Sequence, residues 1–223
     1  GRQKNAGGGK WDNELNFTEF VRNYHIQLNE QQMQAVQATE GPVLLLAVPG
    51  SGKTTVLVSR LGYMIYCQGI TPESILTVTY TVAATNDMRR RFAGMFGEAD
   101  AERLEFRTIN GLSARIIQYY ERAMGRRAFQ LVTDEGTLSS LVGELFRACT
   151  GTFATESTIK GLRTAITYGK NRQMSREEME ALSTGELPVA QVYQAYCRVL
   201  RQRGWMDYDD QMVYAAQILR RHG

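Results

Sequence analysis

Val43-Leu44-Leu45-Leu46-Ala47-Val48-Pro49-Gly50-Ser51-Gly52-Lys53-Thr54 decides the reading of this 223-residue chain. An unbroken aliphatic run, entered from Gly41-Pro42 and left through a glycine-rich turn, is the pattern of a strand buried on both faces of a parallel sheet. A helical pattern follows at once, with Leu57, Leu61, Met64 and Ile65 at i, i+4, i+7 and i+8, closing near Gly69. Between them, Ala47 to Thr54 fits the P-loop at every defining position but the first, where Ala stands for Gly. Backbone N–H groups at such a helix start face a phosphate, and the helix dipole favours negative charge there. Gly50 and Gly52 let the backbone come close; Lys53 is expected to reach the β- and γ-phosphates, and Thr54 to place its hydroxyl on Mg²⁺. The candidate nucleotide site is thus Ala47, Val48, Pro49, Gly50, Ser51, Gly52, Lys53, Thr54 and Thr55, with Lys53 and Thr54 closest to the chemistry.

Working outward, Leu28-Asn29-Glu30-Gln31-Gln32 opens a short amphipathic helix with Met33 and Val36 on one face. Downstream, Ile75 to Tyr80 reads as a second strand, Ala83 to Met95 as a helix, and Leu104 to Thr108 as a third strand. Alternation of this kind is the signature of a doubly wound parallel α/β sheet. From Leu112 to Arg203 the β pattern vanishes and helical stretches follow one another. They include a capping box at Ser175 and Glu178, and Val192, Tyr196 and Val199 on one stripe. A last helix carries Met212, Ala215 and Leu219. The expected layout from pattern alone is a disordered or appended N-terminus over 1–25, a nucleotide-binding part over 26–111, and a helical insertion or second domain over 112–204.

Composition narrows little. Lys and Arg exceed Asp and Glu by 26 to 23, which permits a nucleic-acid partner without requiring one. The longest apolar run, Val43 to Val48, falls far short of the roughly 20 residues of a membrane span. Cys67, Cys149 and Cys197 are scattered and odd in number, so neither a disulfide framework nor a zinc site is expected, and a reducing cytoplasm is the expected home.

Four flanking motifs, in order, give the P-loop a family. The Ala-x-x-Gly-x-Gly-Lys-Thr form resembles that of the UvrD/Rep/PcrA group of superfamily 1 DNA helicases. Upstream, Leu28 to Gln32 followed by Ala35-Val36 looks like that group's Q motif, in which the residue at Gln32 reads the adenine edge. Asn29 with Gln32 three residues on is also the pattern of a capping box, which needs no nucleotide. Thr79-Tyr80-Thr81-Val82-Ala83-Ala84 resembles the first motif that contacts single-stranded DNA, although Val82-Ala83 replaces the usual Asn-Lys. Thr108-Ile109-Asn110-Gly111 resembles the second, with Asn110 for His; Asn can still donate to a phosphate oxygen. Trp205-Met206-Asp207-Tyr208-Asp209-Asp210 is similar to the Asp-Phe-Asp-Asp signature at which the group's chain leaves its helical insertion.

The resemblance spans roughly Leu28 to Leu219 and implies a P-loop, RecA-like doubly wound sheet, with an ATP-binding subdomain over 26–111, an inserted all-helical subdomain over 112–204 and a return to the first subdomain over 205–223. It implies ATP and Mg²⁺ as cofactors and single-stranded DNA or duplex junctions as partner, contacted by Tyr80, Thr81, Thr108, Asn110 and Gly111. The implied activity is an ATP-dependent DNA helicase translocating 3′ to 5′. A helicase-nuclease subunit of the AddA or RecB kind, a P-loop DNA-binding module without helicase activity, and a small-molecule kinase are the alternatives. In relatives the Asp-Glu pair that activates water lies beyond the Asp-Phe-Asp-Asp helix, so this chain alone is expected to bind nucleotide weakly and hydrolyse essentially none. A basic group at Lys160, Arg163, Lys170, Arg172 and Arg176 is a further candidate for tracking phosphates.

Overall fold

A computed structural model describes residues 15–222 other than 47, 49 and 128. It is mixed α/β, mostly helical with small parallel sheets, and falls into two compact units, one ending at Ile109 and the other starting at Asn110.

The first unit holds α1 (Phe17–Asn23), α2 (Glu30–Gln37), α3 (Lys53–Tyr66), β1 (Leu76–Thr79), α4 (Val82–Phe96), α5 (Glu98–Arg103) and β2 (Glu105–Thr108). α1 corrects the expectation of disorder over 1–25, which fails from Leu15 onward. Asn16 and Glu19 close a reciprocal capping box at its start, and Phe20 is fully buried. The Leu15 N–H also donates to the Tyr66 carbonyl at 2.9 Å. β1 and β2 pair in parallel, Leu76 opposite Glu105 through Thr79 opposite Thr108, with α4 and α5 in the connection between them. Two of the three expected strands are therefore present, in the expected parallel sense.

The first is not. Residues 43–46 are irregular, with Leu44 81% and Leu46 82% exposed, and Ala47 lies outside the described residues. A strand exists only through its ladder partners, and among the described residues β1 and β2 pair with each other alone.

The core of this unit explains why α3 can present its N-terminus outward. Val58, Leu61 and Ile65 form its inward stripe, whereas Leu57, expected inside, is exposed. Aromatic rings fill the space below. Phe96 stacks on Phe20 with centroids 5.8 Å apart, and meets Tyr24 at 4.8 Å and Phe92 at 4.9 Å.

The second unit contains α6 (Ile109–Met124), β3 (Gln130–Leu131), α7 (Glu135–Thr150), α8 (Glu156–Arg172), α9 (Arg176–Ala181), α10 (Val189–Arg203), β4 (Trp205–Met206) and α11 (Tyr208–His222). Its core is the meeting of α7, α8 and α10 through Leu138, Val142, Leu162, Ile166, Val192, Tyr196 and Leu200. The Ser175–Glu178 capping box forms as expected. The expected all-helical insertion needs one correction, because β3 within it pairs in parallel with β4, Gln130 opposite Trp205 and Leu131 opposite Met206. Two short backbone bonds enforce this: Gln130 N–H to the Gly204 carbonyl and Val132 N–H to the Met206 carbonyl, both 2.8 Å. On α11, Ala215 and Ile218 turn inward to Ile117 and Met206, whereas Leu219 is exposed. No helix among the described residues is long and apolar enough to cross a membrane.

One close approach gives a test. A Cβ on Gly62 of α3 would lie 2.3 Å from the Phe96 ring, and that ring is fixed by Phe20, Tyr24 and Phe92. Alanine in mid-helix normally gains about 1 kcal/mol over glycine. Here overpacking opposes that gain, and Gly62→Ala is expected to lower stability by roughly 1–3 kcal/mol in urea denaturation.

Candidate nucleotide and nucleic-acid site

Gly50 and Gly52 both hold positive φ, at 79° and 78°, so the turn into α3 takes a course that a side chain would strain. Gly52 is the N-cap of α3, with no side chain to occupy the N–H groups that follow. Lys53 begins the helix, exposed, and its Nζ donates to the Val48 carbonyl at 3.4 Å. The turn itself closes through Ser51 N–H to the Val48 carbonyl at 3.2 Å. Thr54 and Thr55 are half-buried on the first turn. Ala47 and Pro49, also expected in this site, lie outside the described residues.

Gln32 joins this loop, which the sequence could place near it but not against it. Its Oε1 accepts from the Asn29 N–H and the Asn29 Oδ1 accepts from the Gln32 N–H, both at 2.9 Å, so the capping box exists. The same amide donates through Nε2 to the Ser51 carbonyl at 3.0 Å. Capping and loop contact are therefore one side chain's work rather than rival readings. One N–H and one lone pair of that amide are left over, the pair that an adenine edge requires. Further along, Arg60 donates to the Ala35 carbonyl at 3.1 Å and Gln68 to the Thr39 hydroxyl at 2.7 Å, fastening α2 along α3.

These residues fit the tail of a nucleoside triphosphate. The Ser51 hydroxyl is buried and has no hydrogen-bond partner among the described residues. A Cβ at Gly52 would sit 3.4 Å from Gln32 Nε2, in the gap the loop keeps open.

The residues expected to meet DNA lie partly together. Tyr80 and Thr81 follow β1, and Thr108 ends β2 as the partner of Thr79, so all three stand at the carboxyl edge of the parallel pair, where α/β sheets hold ligands. Tyr80 is 87% exposed, its ring free of the core. Thr81 caps α4, its Oγ accepting from the Ala84 N–H at 3.1 Å, and its hydroxyl hydrogen stays available. Asn110 and Gly111 fall in the first turn of α6; the Asn110 carbonyl accepts from Gln211 at 3.2 Å.

The acidic segment has a different job. Asp207 and Asp210 cap each other's ends of the α11 start, with Asp210 N–H to Asp207 Oδ1 at 2.8 Å and Asp207 N–H to Asp210 Oδ2 at 3.2 Å. Both carboxylates also hold Lys170 Nζ, at 2.7 and 2.8 Å, and the Tyr196 hydroxyl donates to Asp207 at 2.8 Å. Asp209 accepts from Thr167 and Asn171 on the same face of α8. Burial works against the Lys170 ammonium, but the two carboxylates outweigh it and raise its pKa. Burial would likewise lift Asp207; Lys170 and the surrounding donors hold it below the ordinary value instead. Asp210 rises, through burial and the negative Asp207 beside it. Lys170 is thereby withdrawn from the expected phosphate-tracking group, its side chain 4% exposed. Arg163 of that group pairs with Glu135, and Arg176 with Glu180. The signal was legible: Lys170 falls eight residues after Leu162 and four after Ile166, on the buried stripe of α8.

With this geometry in place, comparison with known proteins is direct. The model of the UvrD/REP helicase N-terminal domain matches residues 28–223. The chain belongs to that family. Among its relatives are the putative ATP-dependent DNA helicase YjcD of Bacillus subtilis, 31% identical over 83% of this chain and 24% of its own length, and the ATP-dependent DNA helicase PcrA of Leuconostoc citreum, 30% identical over 86% and 26%. PcrA of Staphylococcus epidermidis is 30% identical over 87% of this chain and 27% of its own length. The chain thus spans about a quarter of the length of these UvrD/REP-family relatives.

In this UvrD/REP-family chain the Lys170 ion group sets a pH-dependent expectation. Lys170→Met leaves two buried carboxylates without their cation and is expected to cost about 3–5 kcal/mol at neutral pH. As pH falls towards about 4, the ordinary carboxyl value, protonation relieves the variant. The parent keeps the Asp207 contribution down to the ordinary carboxyl value of about 4 and loses it only below that, because Asp207 titrates lower folded than unfolded. The raised Lys170 keeps its contribution at neutral pH and surrenders it only above about pH 10. Urea midpoints at pH 7 and near pH 4.5 should therefore converge; a constant gap contradicts this.

Proposed function

We propose that this chain binds ATP, with residues 48–55 around the phosphates and Gln32 on the adenine edge, as the nucleotide-binding part of an ATP-dependent DNA helicase moving 3′ to 5′ along single-stranded DNA in the cytoplasm. The observation that carries this reading is the Gln32 bond to the Ser51 carbonyl, which ties a base-reading amide to a glycine turn at a helix N-terminus. Family membership supports the helicase activity, since the relatives named above are ATP-dependent DNA helicases.

In this reading the N–H groups at the start of α3 receive phosphate oxygens, and the Lys53 ammonium leaves the Val48 carbonyl to neutralise the β- and γ-phosphates. Thr54 Oγ holds Mg²⁺, which supplies charge neutralisation at the transferred phosphoryl group. Tyr80 stacks a base, and Thr81, Thr108, Asn110 and Gly111 meet the backbone of the strand or of a duplex junction. Residues 43–46 supply the P-loop strand of a RecA-like doubly wound sheet. Their aliphatic exposure, with Leu44 81% exposed, supports this, because such a patch marks a surface that another element covers. The side-by-side pairing of β3 with β4 supports reading the helices between them, within 112–204, as an insertion from which 205–223 returns.

Titration calorimetry with Mg²⁺ and a non-hydrolysable ATP analogue tests the site. The chain should bind saturably, Lys53→Ala should abolish binding, and Gln32→Ala should weaken it about tenfold, the worth of one or two hydrogen bonds. Tyr80→Ala should weaken single-strand binding by the roughly 1–3 kcal/mol of one base–ring stack, read by fluorescence anisotropy. Unchanged analogue binding by Lys53→Ala would mean that the loop is not a phosphate cradle.

A further inference from the structure

The second unit contains an open cleft of about 900 Å³ that neither the P-loop nor the family's DNA motifs account for. It runs between the end of α6, the connection to β3, the C-terminal half of α10, β4 and α11. Its aromatic lining comes from Tyr120, Phe129, Tyr193, Trp205 and Tyr214. Around the rings stand Arg126, Arg127 and Arg201, all exposed and in no ion pair among the described residues. The lining carboxylates are Glu121 and Asp210, and Asp210 is already held by Lys170. The cleft is therefore lined by aromatic rings and edged by guanidiniums that form no ion pair among the described residues.

Rings alone fit any apolar ligand, and arginines alone fit any anion. Their interleaving fits a base joined to a phosphate, the base stacking on a ring and the phosphate taking a guanidinium's paired donors. Trp205 is the best platform. It is half-buried, fixed by the β3–β4 pairing below, with the Arg203 guanidinium 4.9 Å from its ring centre. We propose that this cleft holds a short stretch of single-stranded nucleic acid, a second contact for the strand separate from Tyr80 and Thr108. The proposal rests on the nucleic-acid substrate of the reading above, but not on its nucleotide site.

The sequence has two tryptophans, Trp11 and Trp205, so Trp11→Phe makes Trp205 the sole reporter. With that 223-residue chain at low salt, an eight-nucleotide oligothymidylate should quench Trp205 emission saturably. Arg127→Glu with Arg201→Glu, exposed positions at which folding is checked by circular dichroism, should raise the Kd at least tenfold and reduce the slope of log K against log salt by roughly two. Oligothymidylate that binds by anisotropy without quenching Trp205 overturns the cleft and spares the helicase reading. Equal quenching by thymidine monophosphate, or quenching by an acidic peptide but not by the oligonucleotide, overturns the assignment to a strand. Loss of ATP-analogue binding in the calorimetric test bears on the P-loop alone.

Discussion

A glycine turn leading into a helix N-terminus is the constraint on which the first unit is arranged. α3 starts at Lys53 behind a glycine N-cap that brings no side chain of its own to the first turn. Such a start requires backbone that a side chain would strain, which Gly50 and Gly52 provide at positive φ. It also requires that turn to be held, which Gln32 does from α2. Everything behind α3 then serves as ballast. Val58, Leu61 and Ile65 face a core of Phe20, Phe92 and Phe96, so the helix has a fixed seat while its start stays open.

The second unit is organised by a charge rather than by a glycine turn. Lys170 on α8 would be costly to bury alone, and Asp207 and Asp210 at the start of α11 would be costly to leave beside each other. Together they lock the start of α11 to α8, with β3 and β4 paired nearby. Removing either partner is damaging for the same reason that the full set is tolerated: each charge is balanced by the others, with Tyr196 and the N–H groups at the start of α11 supplying further bonds. A signature that reads as helix capping in the sequence is thus also an anchor.

Much of this was legible beforehand, and the failures have physical causes. The two parallel strands, the Ser175 cap and the α10 stripe depend on local pattern and were read correctly. The aliphatic run at 43–46 was read as a buried strand because its composition demands cover, yet a ladder needs a partner that local sequence cannot supply. Leu57 and Leu219 were each placed one position off the buried face, whose true members are Val58 and Ile218. At the site, glycine, lysine and threonine at fixed spacing were enough to find the loop. The Gln32–Ser51 bond joins residues 19 apart and emerges only when α2 lies along α3. By charge alone Lys170 resembles a surface cation, and only its place on the buried stripe of α8 distinguishes it.

Whether the loop at α3 is a phosphate cradle can be observed residue by residue. A titration of isotopically labelled chain with Mg²⁺ and ATP, followed by amide NMR, should move the backbone signals of Gly50, Ser51, Gly52, Lys53 and Thr54 and the side-chain amide of Gln32 together, with one affinity. Stationary signals at these six groups while others shift would place the nucleotide elsewhere and contradict the account.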